Sequence, residues 1–212
     1  MRDYILERGK HTTRHFKFGN VPVDERQPLP DSINLEAILK TIEKHFPVHY
    51  FDKLKGIIID HPEFFDKRDV NAMYRDGTFY ISNKQDNTSD LMDDIVHEFA
   101  HHMEILYPEN IYSDQQLIQE FLRKRSQLKF ELTSEGYWTD EYDFENLKFD
   151  PSFDKFLYKR VGRPMLKMAT AGLFIRPYAS VSLREYFATG FEAYYLGKKD
   201  LLFRLCPVLY KD

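Results

Sequence analysis

Leu91, Ile95, Val96, Phe99, Ala100, Met103 and Leu106 recur at helical intervals, so the stretch around residue 97 reads as a helix with one face committed to a core. Lodged in it is His97-Glu98-Phe99-Ala100-His101. Two imidazoles four residues apart share one helical face, separated by about one turn, or roughly 6 Å of rise. Such a pair is a polar surface, a satisfied half-buried pair, or two donors to one ion. The apolar surroundings favour the last. The spacing suits two ligands of a tetrahedral Zn²⁺, and Glu98 lies near the open position, where a base toward a zinc-bound water is needed. Ser89 or Asp90 is expected to cap this helix, with Asp93 and Asp94 complementing its macrodipole. Pro108 closes the region in which it can continue.

The whole chain sets wide bounds. Its 212 residues suffice for one sizeable domain, or two small lobes sharing a cleft. A hydrophobic fraction of 42% with 16% aromatics supports a packed core, and a net charge of −4 gives no reason to expect nucleic acid or a membrane surface as partner. Cys206 is the only cysteine, which excludes an internal disulfide and a Cys-based structural zinc site. The N-terminal residues lack the apolar segment of a secretory signal, and no run approaches a membrane span. The expectation is a protein made in the cytoplasm, with export by a signal-less route left open.

Along the chain, residues 1–30 mix His11, Arg14, His15 and Lys17 with Pro22, Pro28 and Pro30 and keep no period. They read as an N-terminal arm, extended or loosely docked. Residues 31–212 read as a single domain, a sheet lobe over about 31–112 and a helical lobe over about 113–212. A helix is expected from Asp31 or Ser32, with Leu35, Ile38, Ile42 and Phe46 inward before Pro47. Residues 56–60 read as a short buried strand, and residues 71–74 and 78–82 as a hairpin turning at Arg75-Asp76-Gly77. After the motif helix, residues 114–132 form a second amphipathic helix with Leu117, Ile118, Phe121, Leu122 and Leu128 inward. Residues 133–152 are acidic and aromatic without period, a long ordered loop. Its carboxylates read as a solvated face, or as a wall that would draw basic peptides. A helix near 153–161 comes next, then a segment 164–175 of open type, then a helix from about 182 to 196 that ends at Gly197.

A catalytic zinc takes a third protein ligand. The extended motif His-x-x-Gly-x-x-His fails at Tyr107. His102 points roughly 100° away from His101 and suits packing or an outer role, whereas Glu104 shares the histidines' face and could orient an imidazole. Glu185 and Glu192 remain on the last long helix. Ser182-x-x-Glu185 is also a legitimate capping box, in which Glu185 would serve only the helix end.

The run Tyr178-Ala-Ser-Val-Ser-Leu-Arg-Glu185-Tyr186-Phe187-Ala188-Thr-Gly-Phe191 resembles the C-terminal signature of the anthrax-lethal-factor-like zinc metallopeptidases, which include the Pro-Pro endopeptidases. The likeness covers mainly residues 57–106 and 176–196. It implies that Glu185 is the third zinc ligand and that Tyr178, seven residues earlier, assists catalysis. It also implies a strand beside the motif helix that holds an extended substrate, for which Thr78–Ser82 is the candidate. The segment between His101 and Glu185 is long, so the family's substrate contacts there do not carry over.

The reading is therefore an α+β chain. A small mixed sheet packs on the H-E-x-x-H helix, a mainly helical half follows, and the active-site cleft lies between them. His97, His101 and Glu185 would hold one Zn²⁺, with Glu98 as base and Tyr178 as hydrogen-bond donor to the oxyanion. The expected activity is that of a zinc-dependent endopeptidase acting on a protein or peptide substrate. The competing reading is a non-catalytic zinc-binding structural or partner-binding protein on a metallopeptidase-like fold.

Overall fold

The structure, a computed structural model, describes residues 14–68, 70–113 and 115–211. It is mixed α+β, with a five-stranded open sheet and a helical remainder. The chain divides into two compact units, Met1–His102 and Met103–Asp212, and the division falls within one continuous helix. No helix of the described residues is long and apolar enough to cross a membrane.

The first unit is built on strands β1 (Arg14–Phe18), β2 (Val21–Glu25), β3 (Gly56–Ile59), β4 (Ala72–Arg75) and β5 (Thr78–Ile81), in the order β1-β2-β3-β5-β4. β2, β3 and β5 run parallel; the two outer pairs are antiparallel. Register aligns Val23, Ile57 and Phe79, and next to them Ile59 and Ile81, so one face of the sheet is apolar and buried. Helix α1 (Leu35–His45), capped by the Asn34 side chain on the Ala37 N–H, buries Leu35, Ile38, Leu39 and Ile42. Helix α2 is short (Glu63–Arg68). The hairpin β4–β5 turns through Asp76 (φ 52°) and Gly77 (φ 87°), two consecutive left-handed residues as a tight two-residue turn requires. A side chain at Gly77 would also press on the Lys53 carbonyl at 3.1 Å.

Two expectations change here. Residues 14–25, read as part of an arm, form the hairpin β1–β2 of the sheet; residues 1–13 lie outside the described residues. The alternation of Phe16, Phe18, Val21 and Val23 is a strand pattern. Pro22 obscures it, a residue tolerated here because β2 is paired by its other positions. The strand Thr78–Ile81 is internal, hydrogen-bonded to β3 on one side and β4 on the other. It has no open ladder for a peptide, so Thr78–Ser82 cannot be the substrate rail; β4 is the last strand on that side.

The motif helix, α3, spans Thr88–Leu106. Its cap is Asn87 and not Ser89 or Asp90: the Asn87 side-chain oxygen accepts from the N–H groups of Ser89 (2.8 Å) and Asp90 (3.1 Å). Phe99 on this helix lies edge-on to Phe79 of β5, with centroids 4.8 Å apart.

The second unit holds the last turn of α3, then α4 (Pro108–Tyr112), α5 (Gln116–Ser134), α6 (Pro151–Lys155), a seven-residue π-helical stretch (Phe156–Gly162), α7 (Arg163–Thr170), a 3₁₀ turn (Pro177–Ser180), α8 (Leu183–Tyr195) and α9 (Lys199–Leu205). α5 buries Leu117, Phe121, Leu128 and Leu132 as its period demands, but Ile118 and Leu122 are only half-buried. Glu120 and Arg125 are buried instead. Glu120 accepts from the N–H groups of Val208 and Leu209 and from the Tyr186 hydroxyl (3.0 Å), which pins the C-terminal segment. Gly190 permits the same approach, since a Cβ there would sit 2.3 Å from the Leu209 side chain.

The loop expected over 133–152 is irregular only over 135–150, because Thr133 and Ser134 end α5 and Pro151 and Ser152 begin α6. Thr139 and Phe144 are buried, while Asp140, Glu141, Asp143 and Glu145 are exposed. Arg125 donates to the Asp143 carbonyl (3.0 Å) and the Ser180 carbonyl (3.0 Å), with its guanidinium 4.1 Å from the Phe153 ring centroid. Burial pushes its pKa down to about 10, and no carboxylate bonds to it among the described residues. Arg125→Leu should keep the volume but strand those carbonyls, lowering unfolding free energy by about 3 kcal/mol. Chemical denaturation tests this, and a loss below about 1 kcal/mol would show that the guanidinium is dispensable.

Candidate metal centre

The site grows from the helical periodicity of α3. His97 and His101 stand one turn apart, their rings perpendicular with centroids 4.7 Å apart. His101 is buried and His97 half-buried. Glu98, between them, is 4% exposed, a burial that a carboxylate reaches only with a purpose or a partner.

α8 supplies the third group. The Ser182 hydroxyl accepts the Glu185 N–H at 3.2 Å, so the capping reading is correct for the backbone of residue 185. The carboxylate of the same residue joins the imidazoles: one ligand atom each from His97, His101 and Glu185 lies within 4.8 Å of the others. Three atoms that close share a centre no more than roughly 2.8 Å from each, against about 2.0–2.1 Å for a zinc–nitrogen bond. Small side-chain rotations cover that difference. Two imidazoles and a carboxylate are a donor set that suits zinc and leaves a position open.

The reserve candidate, Glu192, is not in this group. It is 2% exposed and ion-paired with Arg176. It lies two turns beyond Glu185 along α8. His102 is fully buried on the core side. Its Nε2 donates to the Asp52 carbonyl (2.9 Å), which leaves Nδ1 to accept from the Tyr74 hydroxyl (3.1 Å). Burial holds its pKa down. Glu104 accepts from the Tyr112 hydroxyl at 2.6 Å and pairs with Arg184 at 3.3 Å; burial raises its pKa against both.

Tyr178 sits half-buried in the 3₁₀ turn just before α8. Two neighbours of the site were not legible as such. Tyr158, on the π-helical stretch, places its ring 6.4 Å from that of Tyr178. Its pKa is pushed up to about 12, chiefly by burial and then by the charge of Asp154, with Arg163, Arg176 and Glu185 also felt. The wide turn that aims it has no signature in residue spacing, although π segments gather at functional sites. Asp94, expected only to complement the macrodipole, accepts from Gln85 (3.0 Å) and is electrostatically coupled to His97; its pKa is raised by burial. Its place three residues before His97 was the available signal.

Comparison with protein families, curated proteins and solved structures finds no match for this chain.

Removing a single donor should therefore sort ligands from neighbours. His97→Ala and Glu185→Ala should each lose most bound zinc after dialysis, while Glu192→Ala should lose stability and keep the metal. Zinc content per folded chain is the measurement, and retention of one equivalent in Glu185→Ala would remove it from the ligand set.

Proposed function

We propose that this chain is a zinc-dependent endopeptidase, acting on a protein or peptide substrate in the manner of the anthrax-lethal-factor-like metallopeptidases it resembles. In this reading the small sheet packs on the H-E-x-x-H helix, and the helix presents its opposite face to the substrate. The observation that carries the proposal is the gathering of His97, His101 and Glu185, three residues from two distant stretches of sequence. A chance H-E-x-x-H would not bring a carboxylate from residue 185 to its imidazoles.

A zinc ion held there supplies Lewis acidity toward water and toward a carbonyl. Glu98, next to His97 and out of bulk solvent, takes the proton from the attacking water and returns it to the leaving amine. Its low exposure keeps that proton from exchanging away between the two steps. Tyr178 donates a hydrogen bond to the oxyanion that develops on the scissile carbonyl. The 3₁₀ turn that bears it is closed by the Val181 N–H on the Tyr178 carbonyl (3.1 Å), so the ring starts from a fixed backbone.

Two substitutions separate the roles. Glu98→Ala should leave zinc content and fold intact and abolish cleavage of a peptide library. Tyr178→Phe should keep zinc and lower kcat by about 10²–10³, the scale of one oxyanion donor. Full activity in Tyr178→Phe would remove the tyrosine from the mechanism, and loss of zinc in Glu98→Ala would make that carboxylate structural.

A further inference from the structure

Glu104 lies three residues beyond His101 on the same helix, and its side chain is only 17% exposed. A carboxylate in that setting needs partners. It has Tyr112, whose hydroxyl donates to Oε1 at 2.6 Å, and Arg184, whose Nε meets Oε2 at 3.3 Å. Arg184 immediately precedes Glu185 in the first turn of α8. Tyr112 also meets α8 directly, its ring 6.5 Å from that of Phe187. The residues around Glu185 are thus held three ways: Ser182 caps its N–H, Arg184 is tied to Glu104, and Phe187 leans on Tyr112.

We infer that Glu104, clamped by Tyr112 and Arg184, is a positioning residue that fixes the first turn of α8 and with it the Glu185 carboxylate offered to the metal, a role that rests on the zinc-site reading above. The clamp joins the last turn of the motif helix to the first turn of α8, and each of its ends is within one turn of a proposed ligand. A ligand on a backbone that must be ordered at each binding event loses backbone and side-chain entropy; one whose backbone is already fixed loses only the side-chain part. Partners that orient ligands in this way typically carry 10–100-fold in metal affinity. Glu104 needs no contact with the metal to act so.

The experiment uses the full chain as wild type, Glu104→Gln, Arg184→Gln and the double variant. Three readouts are taken: the zinc dissociation constant by chelator competition, the visible spectrum of the cobalt-substituted protein, and amide exchange of residues 183–187 without metal. Each single variant should weaken zinc at least about tenfold, alter the cobalt spectrum and speed exchange in that turn, and the double variant should be no worse than either single. Arg184→Lys, which keeps the charge, should recover part of the affinity. Unchanged affinity and exchange in Glu104→Gln, or additive losses in the double variant, would overturn the clamp. Wild-type protein that takes up no zinc, while both variants still speed exchange, would instead overturn the zinc reading and leave the clamp standing.

Discussion

The edge-on contacts of Phe99 with Phe46, Phe51 and Phe79, at 5.1, 5.4 and 4.8 Å, hold the motif helix by its apolar face, and the polar groups of that helix take their directions from them. Such ring pairs contribute about 0.5–1.5 kcal/mol each beyond the area they bury, enough together to fix the rotation of a helix. His97 and His101 are each two residues from Phe99, about 200° around the helix, so anchoring Phe99 turns both imidazoles away from it. His102 is three residues away, only about 60° from Phe99, and is carried into the core with it. That is why His102 spends both ring nitrogens on Tyr74 and the Asp52 carbonyl, while its neighbour His101 stays with His97.

The helical unit solves a different problem. Its connections are irregular, and among its described residues there is no sheet to satisfy their backbone groups. α5 does so with long charged side chains. Glu120 takes two N–H groups near the C-terminus, Lys124 donates to the carbonyls of Leu173 and Leu205 at 2.6 Å each, and Arg125 donates to those of Asp143 and Ser180. Charges buried against backbone dipoles avoid the larger cost of an unpaired buried ion and tie each loop at a defined point. The Ser180 carbonyl lies between Tyr178 and Ser182, so Arg125 also steadies the short stretch that bears the proposed oxyanion donor and leads into α8.

These two solutions differ in how far residue pattern discloses them. The motif helix and α1 follow from period, although their caps, Asn87 and Asn34, fall at other residues than expected; the β4–β5 turn and the end of α8 at Gly197 follow from left-handed residues. β1 and β2 did not, because Pro22 and the charges between the apolar positions look like a loop until the partner strand is known. The internal place of Thr78–Ile81 is a fact of sheet order, decided by its parallel pairing with β3, and no local pattern carries it. Glu120 and Arg125 are written as surface residues of an amphipathic helix. Only the distant backbone groups they satisfy explain why they face inward. The His97–His101 pair was legible from its helical spacing and Glu185 only through the family resemblance, whereas Tyr158 depends on a π turn and the partners of Glu104 lie on two other elements.

Ser182-Leu183-Arg184-Glu185 fits both a helix cap and a metal ligand, and the two descriptions compete only if they draw on the same atoms. They do not. The cap uses the hydroxyl of Ser182 and the backbone N–H of Glu185, and the carboxylate stands with His97 and His101. The cap would serve the proposed ligand. It starts α8 at a defined residue, and it sets Glu185 in the first turn, where the helix dipole favours a negative charge. A carboxylate must be ionised to coordinate a metal, a condition that a helix N-terminus favours and that neutral imidazole ligands do not need. The same four residues therefore hold the backbone still at the point where the Glu185 carboxylate stands with the two imidazoles, which is what the proposed third ligand, remote in sequence from the other two, would require.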